Sequence, residues 1–384
     1  MKVSDCRKNP KVIVAGHSCI DITPIFPDNN QNSTPGEILF PGKLLSMDGV
    51  TVSPGGAVSN TGIALKKLGA EVSLLTKMGR DEFGAMLKGV YDSYGVGNGV
   101  LLMEGERTSY SVVLAIPGSD RIFLHDSGCN NTFCCDDIKD SDYENVKLFH
   151  FGYPPLMKRM YENEGEELLK VFSFIKEKGI ITSLDMAAVD PSSEAGQVDW
   201  DKVLRKVLPK VDIFVPSVEE LCFMLDRRRY NELCEAAKGD DVVNYVTRAD
   251  LDRLSDKCME YGVKILLIKC GAPGFYYRTQ TEDVLSEINY NGYFDEKDWA
   301  DKVGFENSYA ANKVLSATGA GDTTIAAFLA AFLTGEKCEM SMHIAAAEGA
   351  SCVEDYSAYG GIKTIPQLKD RMNAGWQKGS GLKC

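Results

Sequence analysis

Short β-branched runs alternate along this chain with helix-length amphipathic stretches, and no other feature restricts its fold as much. Residues 12–15 precede a helical pattern over 58–68, and residues 72–76 precede one over 83–94. The rhythm resumes with 148–151, a helix over 166–178, then 180–184, a helix over 200–208, and the runs 213–215 and 265–268. Each such helix needs a sheet face for its apolar stripe, so the alternation implies βαβ units on a parallel sheet. The expectation is an α/β fold with a doubly wound, mainly parallel sheet. With 384 residues, 44% of them hydrophobic, the chain can bury one large core. One main domain over residues 12–366 is therefore expected.

Two stretches break the rhythm and read as strands without helices: residues 36–52, and residues 108–126, which fold back through Pro117-Gly118-Ser119 as a hairpin. Inserted between early βαβ units, they would form a small β-sheet lid over one end of the main sheet. Residues 290–312, rich in acids, Asn and aromatics without a clear period, read as a surface insertion. Residues 367–384 read as a C-terminal helix and tail, fraying from Gly375.

Charge narrows the function. Lys and Arg total 42 against 55 Asp and Glu, a net charge of -13, which repels a polyanion and argues against nucleic acid as a partner. The first apolar run is far too short to span a membrane or to serve as a secretory segment, so a cytoplasmic setting with reduced cysteines is expected. The four histidines, 17, 125, 150 and 343, show no i, i+4 pair, and the twelve cysteines include no C-x-x-C. A zinc site has little support.

The chemistry concentrates in Ser316-Ala317-Thr318-Gly319-Ala320-Gly321-Asp322, which runs into an apolar helical stretch. Small residues entering a helix leave its first N–H groups open to an anion. An acid there is no anion ligand, so Asp322 reads as a base that takes a proton from a hydroxyl attacking bound phosphate. Alone, it would read as an acid favoured by the helix dipole. A second Gly-rich helix entry, Ser53-Pro54-Gly55-Gly56-Ala57-Val58-Ser59-Asn60, suits a polyol, because the glycines admit a ligand to the backbone and Asn60 both donates and accepts. Asp21 follows the first strand at the edge where doubly wound sheets present ligand groups. There is no G-x-x-x-x-G-K-[ST], and Gly95-Val96-Gly97-Asn98-Gly99-Val100 misses the dinucleotide pattern at its last position.

In this order the motifs resemble those of the ribokinase-like (PfkB-type) carbohydrate kinases, roughly over residues 12–366. Gly55-Gly56 through Asn60 to Gly69 resembles the family's first signature, and Gly319-Ala320-Gly321-Asp322 its second. Between them, Gly79-x-Asp81-x-x-Gly84 resembles the G-x-D-x-x-G stretch and Gly128-Cys129-Asn130 the lid exit. Pro216 to Glu220 resembles the metal motif, and Lys269-Cys270-Gly271 to Gly274 the nucleotide loop. The resemblance implies an ATP-dependent sugar kinase of ribokinase-like fold. It makes Asp322 the base and Gly319, Ala320 and Gly321 the amides on the transferring phosphoryl group. Asp21, Gly55, Gly56 and Asn60 would hold the sugar, Lys269, Gly271, Gly274 and Ser217 would line the nucleotide site, and Glu220 would act on Mg²⁺. It also implies a possible homodimer through the lid.

Ser217 stands where the metal motif has Asn, and Ser316 where the second signature opens with Asp, which argues against activation by K⁺. Ala57 follows the glycine pair where phosphosugar and ribokinase branches commonly have Lys. A site without that cation suits a non-phosphorylated sugar, fructokinase-like first. A nucleoside is the alternative acceptor if Phe26, Phe40 or Tyr110 stacked on a base, although packing explains these rings as well. A non-catalytic sugar sensor is the alternative from another class, motivated by Ser217 and Ser316.

Overall fold

The computed structural model describes residues 9–27, 35–116, 121–139, 143–290 and 292–382. Its strands in chain order are β1 (Lys11–Gly16), β2 (Cys19–Ile25), β3 (Gly49–Gly55), β4 (Glu71–Leu75), β5 (Lys77–Gly79), β6 (Leu101–Met103) and β7 (Tyr110–Leu114). They continue with β8 (Ile122–Asp126), β9 (Val146–Gly152), β10 (Ile181–Asp185), β11 (Ile213–Phe214), β12 (Ile265–Lys269), β13 (Gly274–Thr279) and β14 (Val303–Asn307). The main sheet runs β14-β13-β12-β11-β10-β9-β1-β4. From β4 to β12 every pairing is parallel, and β13 and β14 close one edge antiparallel.

Both faces of this sheet are covered, which is why its strands read as continuous apolar runs. Along β1, Val12 and Val14 enter one core with α1 (Gly56–Lys67), and Ile13 and Ala15 enter the other. The α2 (Glu82–Ser93) helix joins the first core. The second core receives α3 (Glu166–Glu177), α4 (Trp200–Val207), α5 (Val218–Leu225) and α6 (Arg248–Glu260). Completing the first are α7 (Ala320–Leu333) and α8 (Cys338–Cys352), which pack on each other and, through α7, on α1. The doubly wound α/β expectation holds.

A four-stranded sheet, β3-β2-β7-β8, forms the lid. The β7–β8 hairpin pairs Tyr110 with Asp126 through to Leu114 with Ile122, and its Pro117-Gly118-Ser119 turn lies outside the described residues. The expected strand over 36–52 is corrected. A short helix occupies Pro35–Ile38 and only Gly49–Gly55 is strand, because Pro41 and Gly42 between them interrupt any ladder. The sequence reading also missed β2, which lies inside the lid sheet and carries Asp21 between Ser53 and Ser111.

The lid is tied down by two motifs. Asp81 caps α2 by accepting from the Gly84 N–H at 2.8 Å, and it also accepts from the N–H and hydroxyl of Thr108 at 2.7 Å each, at the entry to β7. At the exit, the Asn130 amide donates to the Ser18 carbonyl at 2.8 Å.

Residues 290–312 are no solvated excursion. Tyr293, Phe294 and Trp299 are buried, Trp299 meets Phe328 and Phe332 of α7, and β14 completes the sheet edge. The aromatics that obscured the period are its anchors. Past the C-terminal helix α9 (Ile365–Asn373), the tail read as fraying from Gly375 is anchored at Trp376, whose ring lies 4.7 Å from that of Tyr309 and whose indole N–H donates to the Ala310 carbonyl at 2.7 Å; residues 383–384 lie outside the described residues. Among the described residues no helix is long and apolar enough to cross a membrane, and the ten cysteines described are free thiols.

Candidate active site

The carboxyl ends of β1, β9, β10 and β12 converge with the N-termini of α1 and α7, the edge where open parallel sheets present ligands. At α7, Gly319 takes φ 76° to turn the chain into the helix. Asp322 lies in the first helical turn and is buried. Helix geometry leaves the first N–H groups of α7 without intrahelical acceptors, although that of Ala320 reaches back to the Ala317 carbonyl at 3.3 Å. A Cβ on Gly319 would fall on Ala358, while one on Gly321 would lie 3.7 Å from the Lys269 stem. Lys269 therefore faces the open side of this amide cradle.

Asp322 is held from two sides. The Asn60 amide on α1 donates to Oδ2 at 2.9 Å, and the Tyr153 hydroxyl, one residue past β9, donates at 2.9 and 3.1 Å to the two carboxylate oxygens. Asn60, expected to hold sugar, is thus engaged with the base, and its own Oδ1 accepts from Tyr359 at 3.0 Å. Burial pushes the Asp322 carboxyl up, opposed by Lys269 and by the hydrogen bonds from Asn60 and Tyr153.

Lys269 pairs with Asp185 at 2.6 Å. Asp185, the last residue of β10, is fully buried, and its Oδ2 has no hydrogen-bond partner among the described residues. Burial disfavours the Lys269 charge, but Asp185 and Glu220 outweigh it and its pKa rises. Burial likewise drives the Asp185 carboxyl upward against the pull of Lys269.

On the acceptor side, Asp21 projects from the lid sheet, and a Cβ on Gly55 would fall on its carboxylate. Burial raises Asp21 to about 6, against hydrogen bonds from Cys19 and Ser111. Gly56, at φ 81°, backs onto His17. Ala57 is fully buried against Gly152, which leaves no space for a longer side chain. Arg121, beside lid strand β8, donates to the Thr318 hydroxyl, so the lid closes onto the loop that precedes α7.

Ser217 and Glu220 form a capping box on α5: the Ser217 hydroxyl accepts from the Glu220 N–H at 3.2 Å, and Glu220 Oε2 accepts from the Ser217 N–H at 2.6 Å. A single Glu220 oxygen remains outward. Among the described residues no group of three or more His, Cys, Asp or Glu could hold a metal. Mg²⁺ uses one or two carboxylates together with phosphates and waters, and the free Glu220 oxygen with the orphaned Asp185 Oδ2 fits that pattern. Gly271 is open to solvent, whereas a Cβ on Gly274 would fall on the Glu306 carbonyl of β14. Of the rings weighed as base platforms, Phe26 packs with Ile38 and Ile116, and Tyr110 with Phe83; Phe40 is exposed.

The sequence reading overlooked Tyr153, Asp185, His17 and Arg121. A signal existed for the first two, since both stand at carboxyl ends of apolar runs that were read as strands.

The family model described as pfkB family carbohydrate kinase matches residues 11–365. An uncharacterised sugar kinase of Archaeoglobus fulgidus is 23% identical over 303 residues, 78% of this chain and 98% of that protein. A probable fructokinase-4 of Arabidopsis thaliana is 27% identical over 244 residues, 62% of this chain and 67% of that protein. Among solved structures, Arabidopsis thaliana ribokinase complexed with ribose and ATP has a TM-score of 0.69 at 20% identity, covering 94% of this chain and 98% of that one. Fructokinase of Xylella fastidiosa with bound ATP also has a TM-score of 0.69, at 17% identity, covering 95% of this chain and 98% of that one.

Proposed function

Because this chain belongs to the pfkB family of carbohydrate kinases, phosphotransferases with an alcohol group as acceptor, we propose that it transfers the γ-phosphoryl group of ATP to a hydroxyl of a small, non-phosphorylated sugar, fructokinase-like first. One observation carries this reading: a buried carboxylate, Asp322, in the first turn of a helix whose Gly321 lies beside the partly buried Lys269. An acid at an anion cradle has a use when a proton must leave the attacking hydroxyl.

Asp21 orients the acceptor from the lid. Asp322 takes the hydroxyl proton as its oxygen attacks the γ-phosphorus, and ADP leaves. The α7 amides and Lys269 stabilise the equatorial oxygens, each aimed donor contributing about 3 kcal/mol to the transition state. Glu220, with Asp185 beside it, would hold Mg²⁺, which supplies charge neutralisation on the phosphates when bound. The lid, drawn down by Arg121 on Thr318, excludes water. The names of the fructokinase relatives support the acceptor class, as does the absence of room for a cation at position 57. The neighbours solved with ribose and ATP, and with ATP and Mg²⁺, support the co-substrates.

A coupled ADP-release assay over neutral hexoses, pentoses, sugar phosphates and nucleosides, with product identification, tests the reading; saturable transfer to a neutral sugar is expected. Binding without transfer across the panel would overturn it in favour of a sugar sensor. A cytoplasmic setting and a homodimer belong to the same reading. The exposed lid face bearing Val50, Val52, Ile122 and Leu124 is the surface a second copy would cover, and a monomeric mass by light scattering would refute the dimer.

A further inference from the structure

Tyr153 has φ 64° and ψ 45°, a left-handed conformation unfavourable for any residue with a Cβ. Such strain persists only where the surroundings hold it, and it clusters where function needs it. Here Pro154 and Pro155 follow directly, the Tyr153 N–H donates to the Asp185 carbonyl at 3.3 Å, and the hydroxyl donates to both Asp322 oxygens. Asp322 accepts in addition from Asn60 at 2.9 Å and more weakly from Thr61 at 3.5 Å. A carboxylate offers about four acceptor positions and three donors face this one, with the single Tyr153 proton shared across both oxygens, so an alcohol approaching the base competes with them. Asn60 is fixed at its other end by Tyr359. Thr61 reaches one oxygen only, and weakly; the donor that spans both is Tyr153, itself a hydroxyl.

We propose, resting on the kinase reading above, that the Tyr153 hydroxyl keeps the acceptor's place on Asp322: it holds the base oriented and shielded from water while no acceptor is bound, and the acceptor hydroxyl enters by displacing it. Tyr153 is then a positioning residue that acts through Asp322. A sugar gripped by Asp21 brings enough further contacts to displace the phenol. A lone water does not, and ATP hydrolysis without acceptor stays slow.

Two variants test this, Tyr153→Phe, which keeps the ring, and Tyr153→Asn, which tolerates the left-handed backbone. With Mg·ATP alone, both should release ADP about 10-fold faster than the wild type, the smaller end of what a hydrogen bond to a charged group is worth. Adding Asp322→Asn should abolish the gain. ADP release at the wild-type rate by correctly folded variants overturns the proposal. With a polyol the wild type phosphorylates, the acid limb of kcat/KM, which reports the acceptor-free enzyme, should rise by about one pH unit in Tyr153→Phe, while the acid limb of kcat stays in place. Both limbs moving together, or neither, also overturns it. Failure of the kinase reading looks different: the wild type then phosphorylates nothing in the panel.

Discussion

Replacing Lys269 with Met removes the cation on which Asp185, Glu220 and Asp322 all act while keeping most of the side-chain volume. Asp185 is fully buried, Lys269 is 16% exposed, and the two meet at 2.6 Å. Asp185 Oδ2 has no other donor among the described residues, and Glu220 and Asp322 both act on Lys269. Breaking a buried pair from one side costs about 3–5 kcal/mol because the partner charge is left uncompensated. At roughly 2.1 cal/mol/K of unfolding entropy per residue, a chain of 384 residues converts that loss into a Tm drop of about 4–6 °C. The sign with pH follows. Without Lys269 the folded-state pKa of Asp185 rises further, so the variant keeps its stability at low pH and loses it as pH climbs through that value. Thermal melts at pH 5 and pH 8 should show a small deficit and a large one. The decisive comparison adds Asp185→Leu. With both charges gone, the double variant should melt above Lys269→Met alone, since apolar replacement of a whole buried pair is near neutral. If the double variant instead lost the sum of the two single losses, the buried-charge argument would be refuted.

Asp322→Asn should lower kcat by about 10² or more in the ADP-release assay, because a general base contributes about 10²–10⁴; turnover at the wild-type level would remove Asp322 from that role. Gly55→Ala should depress acceptor kcat/KM by about 10²-fold, since its Cβ falls on the Asp21 carboxylate and misplaces it; KM for ATP should not move. Glu348, wholly buried in α8, has an orphaned Oε1 among the described residues, and burial pushes its carboxyl to about 8. A raised carboxyl favours the folded state at low pH and loses that contribution as pH rises through the folded value. Glu348→Gln should therefore match the wild type near pH 4.5 and exceed it by roughly 4 kcal/mol above pH 8, as read from urea titrations at the two pH values.

The sheet was legible because each parallel strand is buried on both faces and announces itself as an apolar run. The lid was harder to read. In β2 the polar members of Cys19-Ile20-Asp21-Ile22-Thr23 resemble a turn, and nothing local reveals that Asp21 pairs with Ser53 and Ser111. Residues 290–312 misled because burial of Tyr293, Phe294 and Trp299 is decided by α7, outside the window that a periodicity test can see. At the site, the glycine motifs and Asp322 were visible as patterns with a chemical purpose. Tyr153 offers only its place past the apolar run 148–151, since a tyrosine before two prolines has no chemical pattern of its own until β9 delivers it to a carboxylate far along the chain. Gly274 shows the converse: a glycine readable as ligand-facing that makes room for the neighbouring strand.

The contact between Ala57 and Gly152 also limits how this protein can diverge. A lysine at 57 would start from a fully buried Cβ pressed against Gly152 of β9, so recruiting a sugar phosphate by one substitution at that position is disfavoured by packing. Any descendant that acquires a cation there must first reshape the crossing of α1 and β9, and a single-site library aimed at phosphorylated acceptors should draw its successes from the lid instead.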